Sequence, residues 1–552
     1  MGFSLTPLDW VVCMGALVGS IVIGLWLSVR AQSSKSSAGF FLAGRSLTWP
    51  IIGASLFATN IGAEHLVGLS GDSYRYGICA GTVELTTAMC LGFAAAVLLP
   101  FYFKNKVYTI PEFLEMRYSA RARSFFSGLM LVICIMTKTA FTMYAGSLVL
   151  TNLLGMDPHN LRDMMTVVVG LSAVVAVVTM IGGFTTVAYT DAIQTLIVLV
   201  GSGAMLFIGL DKIGGWDGLC NAVQQPALAA KVQNAMHMAK PYDHPQYPFW
   251  GVIMGAIYGG IFYWGMDQVN VQRLLGARDL RQARWGAMFA VLLKLTPVFI
   301  FALPGVIAFA LSKGSLEGEQ SKQTFVWLLN NLLPSGLRGL LLASLLAALI
   351  SSLLAVMNSI STMVVRDFVL RANPNTTERK QVLIGRWAIL VASILGTGST
   401  ILIWRSPDGI YMYLQAISIA LVMPITPIIV FGIMSKRVTM KGAMIAVAVG
   451  SCLSLWFQID QFMGAALGTK WFPVLHHKLT ENYTYRGLWG TIIITAVLFI
   501  ASAFTPKTKP DKLANTTINW SAKLEAFEGL KDWRLQLAVL SVITVLAYRL
   551  LW

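Results

Sequence analysis
Thr59, Asn60, Gly62, Glu64 and His65 crowd into the middle of an apolar stretch that runs from Trp49 to about Leu69. Hydroxyl, amide, carboxylate and imidazole groups at that depth suit an ion or a polar solute, because a plain anchor gains nothing from them. A charge at the centre of a span costs about 3 kcal/mol on insertion scales. Gly62 weakens the helix at the same point. The pattern predicts a discontinuous helix whose released backbone carbonyls and amides line a site, as in secondary transporters. A second cluster, Tyr263, Trp264, Gly265, Met266, Asp267 and Gln268, interrupts the run that begins at Phe249. Two interrupted spans at matching positions point to an inverted repeat with its site at the midplane; the alternative is two unrelated polar kinks. In a third cluster Ala348, Ser351 and Ser352 fall at i, i+3 and i+4, so one helix face offers two hydroxyls beside a backbone carbonyl. Sodium needs such hard oxygens, although a Ser-Ser pair taken alone is more often an interhelical hydrogen bond or small-residue packing.

The elements that must hold these groups are membrane helices. Of the 552 residues 56% are hydrophobic and 12% charged, far from a soluble composition. Apolar runs long enough to span a bilayer number roughly fourteen. They include 47–71, 164–180, 186–210, 249–270 and 410–434. The net charge of +16 suits positively charged inward loops better than a nucleic-acid partner. With the N-terminus outside, the inward loops hold about twice as many Lys and Arg as the outward ones. Arg273, Arg278, Arg281 and Arg284 fall in one such loop; Lys436, Arg437 and Lys441 fall in another. An even number of spans puts both termini outside. The first apolar segment has no basic n-region or cleavage site and reads as retained. The six cysteines lack metal-type spacing and read as packing residues. With no metal cluster or nucleophile–base motif, the sequence reads as a non-enzyme.

Several motifs, in this order, carry a family resemblance over nearly the whole chain. They are Phe40-Phe41-Leu42-Ala43-Gly44-Arg45-Ser46-Leu47, Gly53-Ala54-Ser55-Leu56 with Asn60-Ile61, Tyr108-Thr109-Ile110-Pro111-Glu112-Phe113, and Gly182-Gly183 leading to Tyr189-Thr190-Asp191. Tyr263-Trp264, Gln272-Arg273, Leu303-Pro304-Gly305, Ser351-Ser352 and Tyr413-Leu414-Gln415 follow. The chain resembles the solute:sodium symporters, specifically the sodium/glucose cotransporter branch. The resemblance implies an all-α polytopic protein with a LeuT-type 5+5 inverted repeat and about fourteen transmembrane helices. Residues 1–46 are then an extra N-terminal helix with a cytoplasmic loop, 47–210 the first repeat, 211–248 an extracellular loop, 249–434 the second repeat, and 435–552 accessory helices. It also implies a sodium site formed by the carbonyls of Ala58, Ile61 and Ala348 with the hydroxyls of Ser351 and Ser352. Asn60, His65, Glu84, Lys294 and Gln415 become sugar-binding groups, with Tyr263 as the inner gate and Trp264 beside it. A hexose is a dense array of donors and acceptors with an apolar C–H face, which this mixture of carboxylate, amide, cation and aromatic ring suits.

Other readings of single residues stay open. Glu84 and Lys294 form a structural ion pair in one alternative, His65 is a satisfied core histidine in another, and Lys138 braces a carboxylate in a third. Asp191 and Asp267 read equally as functional groups or as helix caps and braces. Sugar-transporting relatives commonly have an aromatic residue before the Glu84 position and Trp after it; this chain has Val83 and Leu85. Some also have Asn at Gly260. The expected function is sodium-coupled import of a hexose or related polyol by alternating access across a bacterial inner membrane or plasma membrane, with Na+ as the coupling ion. Relatives that couple two sodium ions carry a further hydroxyl two positions after the serine pair; with Leu354 there, followed by Ala355, the resemblance implies one sodium per sugar. A sodium symporter for a carboxylate or amino acid, or a transport-like sensor, is the alternative.

Overall fold
The protein, seen in a computed structural model, is described over residues 5–31, 36–62, 64–157, 160–244, 246–316, 318–404, 422–467, 482–520 and 526–551. Regular structure there is helical apart from one isolated bridge between Leu47 and Ala277, as expected for backbone that must satisfy its hydrogen bonds within lipid. The main helices are α1 (Pro7–Arg30), α2 (Trp49–Asn60), α3 (a π turn, Glu64–Leu69, leading into Ser70–Tyr76), α4 (Ile78–Lys104), α5 (Ala120–Leu153) and α6 (Leu161–Ile213). Then come α7 (Phe249–Gly265), α8 (Gln268–Leu275), α9 (Leu280–Leu311), α10 (Leu337–Ala372) and α11 (Glu378–Trp404). The last are α12 (Ile425–Met434), α13 (Met440–Leu467), α14 (Tyr483–Ala503) and α15 (Trp533–Leu550).

Ten of the described helices are long and apolar enough to cross a membrane, or eleven if the bent pair α7–α8 is one span. The difference from about fourteen has three sources. The expected run 47–71 is broken, so neither half reaches spanning length. Runs 164–180 and 186–210 both fall within α6, where Gly183, at φ 58° and ψ −156°, separates two helices that are counted once among the ten. A side chain there would be strained by that φ, and its Cβ would lie 2.7 Å from the Phe40 ring and 2.8 Å from the Phe40 carbonyl. Of the run 410–434, only the end that forms α12 lies within the described residues.

Burial separates an inner set of helices from an outer one. The most apolar window of α10 is 89% buried and that of α9 is 83% buried, whereas α15 is only 11% buried. Helices α9 and α10 therefore face protein while α15 faces lipid on most of its circumference. The inner helices meet at short range. A Cβ at Gly53 on α2 would sit 2.7 Å from the Gly286 carbonyl on α9, so a small residue is required at this crossing. The two interrupted elements are also tied together: Leu47 N donates to Gly276 O (3.1 Å) and Arg278 N to Leu47 O (3.1 Å).

Candidate functional site
Both interruptions expected from the sequence are present. Helix α2 ends at Asn60, and Ile61 is extended (φ −79°, ψ 118°). Gly62 N donates to His65 Nδ1 (3.3 Å), rather than to the Ala58 carbonyl four residues back, which leaves that carbonyl outside the helical ladder. The second break falls at Met266 and Asp267, where α7 and α8 diverge by 50°. Asp267 caps α8 by accepting from Val269 N through Oδ1 (3.1 Å).

Around these breaks a polar network closes over six elements. Lys294 on α9 donates to Glu84 Oε2 on α4 (2.5 Å) and also to Asn60 Oδ1 at the end of α2. His65 Nε2 lies 3.5 Å from Glu84 Oε2. With Nδ1 accepting from Gly62, the imidazole proton belongs on Nε2, toward that carboxylate. Asn60 Nδ2 donates to the Tyr263 hydroxyl (3.1 Å) on α7, and Tyr263 and Trp264 meet edge to face, with centroids 5.0 Å apart. Lys138 on α5 pairs with Asp267 and places its ammonium 5.8 Å from the Tyr263 ring centroid. Asn60, His65, Glu84, Tyr263, Trp264 and Lys294 are therefore brought together. Gln415 lies outside the described residues. Glu84 and Lys294 do pair, and Lys138 does brace a carboxylate, so these groups carry structure whatever else they bind.

The cation candidates lie at the other side of the α2 break. Ser352 Oγ donates to the Thr59 carbonyl (3.3 Å), so the α10 hydroxyl faces the frayed end of α2. Ser351, fully buried, donates to Asp191 Oδ1 on α6 (2.6 Å). Ala58, Ile61 and Ala348 are buried in the same core. Ser352 thus sits beside a helix-end carbonyl and Ser351 beside a carboxylate, both oxygens of the hard kind that a hard cation takes.

Asp191 is the centre of a cluster that sequence reading left unresolved. Its Oδ2 accepts from Ser55 (2.6 Å) and Thr59 (3.3 Å) on α2 and lies 3.5 Å from Arg273 Nη2. Arg273 Nε donates to the Thr59 hydroxyl (2.7 Å). The assignment of Arg273 to an inward loop is corrected here: it lies in α8 with no solvent exposure. The chain stays helical beyond the Asp267 break and turns this guanidinium toward Asp191. Arg284 likewise lies in α9 and is buried. A basic residue close after a polar break resembles loop charge in sequence, and only its partner on α6 distinguishes the two.

Comparison with known proteins agrees with this architecture. The sodium:solute symporter family model matches residues 40–450. A sodium/myo-inositol cotransporter 2 of Mus musculus is 32% identical over 490 residues, covering 84% of this chain and 71% of its own. A sodium/glucose cotransporter 4 of Danio rerio is 32% identical, covering 84% and 73%. A sodium/mannose cotransporter of Bos taurus is 33% identical, covering 94% and 90%. Among solved structures, that of a Na+-coupled sialic acid symporter superposes with a TM-score of 0.74 at 20% identity, covering 92% of this chain and 100% of the other. At that identity the likeness establishes the fold.

Proposed function
Because the chain belongs to the sodium:solute symporter family, we propose that it is a multi-pass membrane symporter that uses sodium to carry a neutral sugar or polyol. Three relatives named for myo-inositol, glucose and mannose cotransport support this substrate class. The observation that carries it is charge balance. Lys294 already faces Glu84, and Lys138 already faces Asp267. An anionic solute would need a cation without a counter-charge, because a desolvated charge is costly unless paired. A polyol needs only donors and acceptors, which Glu84, Asn60, Lys294 and His65 supply. The sialic acid symporter that shares the fold frames the competing reading, since sialic acid carries a carboxylate.

In this reading sodium bound between the α2 break and Ser351 and Ser352 favours the outward-open state. The solute closes the outer side, and release of sodium loosens the inner side around Tyr263. The positive-inside pattern supports an orientation with both termini outside, in a bacterial inner membrane or a plasma membrane. The test is uptake into proteoliposomes under an inward sodium gradient, with labelled myo-inositol, glucose, mannose and sialic acid. Sodium-dependent uptake of a neutral compound that sialic acid does not compete is the expected result. Uptake of sialic acid alone would sink the substrate assignment.

A further inference from the structure
We infer that Tyr548, on the terminal helix α15, is a positioning residue for Glu84; the inference rests on the sugar-binding reading of Glu84. Helix α4 opens with a tight turn, Ile78–Gly81, so the first α-helical turn, Thr82 to Thr86, lies beside a helix end. Tyr548 bonds to this turn from outside, through a carbonyl and a hydroxyl. Its hydroxyl donates to the Thr82 carbonyl (2.9 Å) and lies 2.7 Å from the Thr86 hydroxyl. Thr86 Oγ also lies 2.9 Å from that carbonyl. The two hydroxyl protons cannot fill all three links at once, but either arrangement ties both threonines to Tyr548 or to each other.

At 3.6 residues per turn, Thr82 and Thr86 share one face of α4, and Glu84 projects from nearly the opposite face. The turn is gripped from outside while its carboxylate meets Lys294 and His65 inside. A second pair of bonds fixes the grip. Met238 N in the segment before α7 donates to the Leu551 carbonyl just past α15 (2.7 Å), and Ile78 N at the start of α4 donates to the Ala235 carbonyl (2.8 Å). One short stretch, Ala235 to Met238, thus fastens the end of the helix carrying Tyr548 to the start of the helix carrying Glu84. Although α15 is largely lipid-facing, its phenol touches the two threonines that lie two residues either side of Glu84. The residues flanking Glu84, Val83 and Leu85, contribute no polar anchor of their own.

The experiment is a double-mutant cycle on the full chain in proteoliposomes, with Tyr548→Phe, Glu84→Gln and the pair. Labelled myo-inositol, glucose and mannose serve as substrates, equilibrium binding of the same compounds is a second readout, and thermal melting is recorded throughout. Tyr548→Phe is expected to raise KM and Kd by roughly 3- to 10-fold, the span of one neutral hydrogen bond. The maximal rate, the half-saturating sodium concentration and the melting temperature are expected to stay unchanged. In the Glu84→Gln background the same substitution is expected to add little. If Glu84→Gln weakens binding but Tyr548→Phe does not, or if the two effects simply add, the positioning role is overturned and the sugar site stands. If Glu84→Gln leaves binding intact, the reading of the site fails and the positioning role falls with it. Should Tyr548→Phe fold poorly, Thr86→Val tests the same grip from the other side and is held to the same coupling with Glu84.

Discussion

Ser351 donates its only hydroxyl proton to Asp191 Oδ1 at 2.6 Å, whereas its neighbour Ser352 points to the Thr59 carbonyl at 3.3 Å. Adjacent serines therefore meet different elements: one reaches a carboxylate on α6, the other the end of the broken α2. An oxygen whose proton is donated keeps lone pairs for a cation, and the carboxylate behind it makes that oxygen more electron-rich. Ser351 is thereby oriented by Asp191, while Ser352 senses the geometry of the break.

Replacing either serine by alanine is expected to raise the sodium concentration needed for half-maximal uptake while leaving the helix intact, since alanine is the best helix former. Ser351→Ala should act more broadly, because it also removes one of the bonds that satisfy Asp191. Sodium-activation curves in proteoliposomes give the readout. Unchanged curves for both variants would remove Ser351 and Ser352 from the cation site.

Asp191 and Arg273 are both without solvent exposure. Removing one partner strands the other charge, and Asp191→Leu or Arg273→Met alone is expected to cost about 3 to 5 kcal/mol of stability. The double variant should be markedly less damaged than the sum of the two. Melting of detergent-solubilised protein checks this. Strict additivity would mean that the 3.5 Å approach contributes no coupling.

Glu84→Ala and Gln415→Ala are each expected to weaken solute affinity by about 1 to 3 kcal/mol, roughly tenfold to a hundredfold, by leaving solute hydroxyls unpaired in a dry site. The Glu84 variant should also lose stability, because Lys294 would lose its carboxylate partner and keep, among the described residues, its bond to Asn60. Sodium activation should survive in both. Native affinity for every tested sugar in both variants would move the pocket elsewhere.

The two helix breaks were legible because their signal is local: polar residues and glycine inside an otherwise apolar run. The pairing of Ser351 and Ser352 on one helix side was legible for the same reason, since 3.6 residues per turn dictates it. What the sequence hid were partners supplied by distant elements. Nothing near Lys138 announces Asp267, and nothing near Asp191 announces Arg273, which by composition resembles loop charge. Tyr548 is hidden more deeply, as a lone phenol in a helix whose remaining pattern is that of a lipid-facing span. The break at Gly183 was legible as a gap between two apolar runs.

Coupling stoichiometry follows from what α10 presents. Leu354 and Ala355, which follow the serine pair on α10, are buried apolar residues and offer no side-chain oxygen to a second ion. One sodium ion per solute is the expected ratio. An ion moving down about 100 mV and a tenfold concentration gradient releases about 3.7 kcal/mol, enough to accumulate a neutral solute roughly 500-fold. Two ions would square that ratio, so the alternatives are well separated. The measurement is the reversal potential in proteoliposomes holding fixed sodium and solute gradients. A value fitting two ions per solute would overturn the ratio and direct attention to Asp191, the buried carboxylate beside Ser351, as part of the second site.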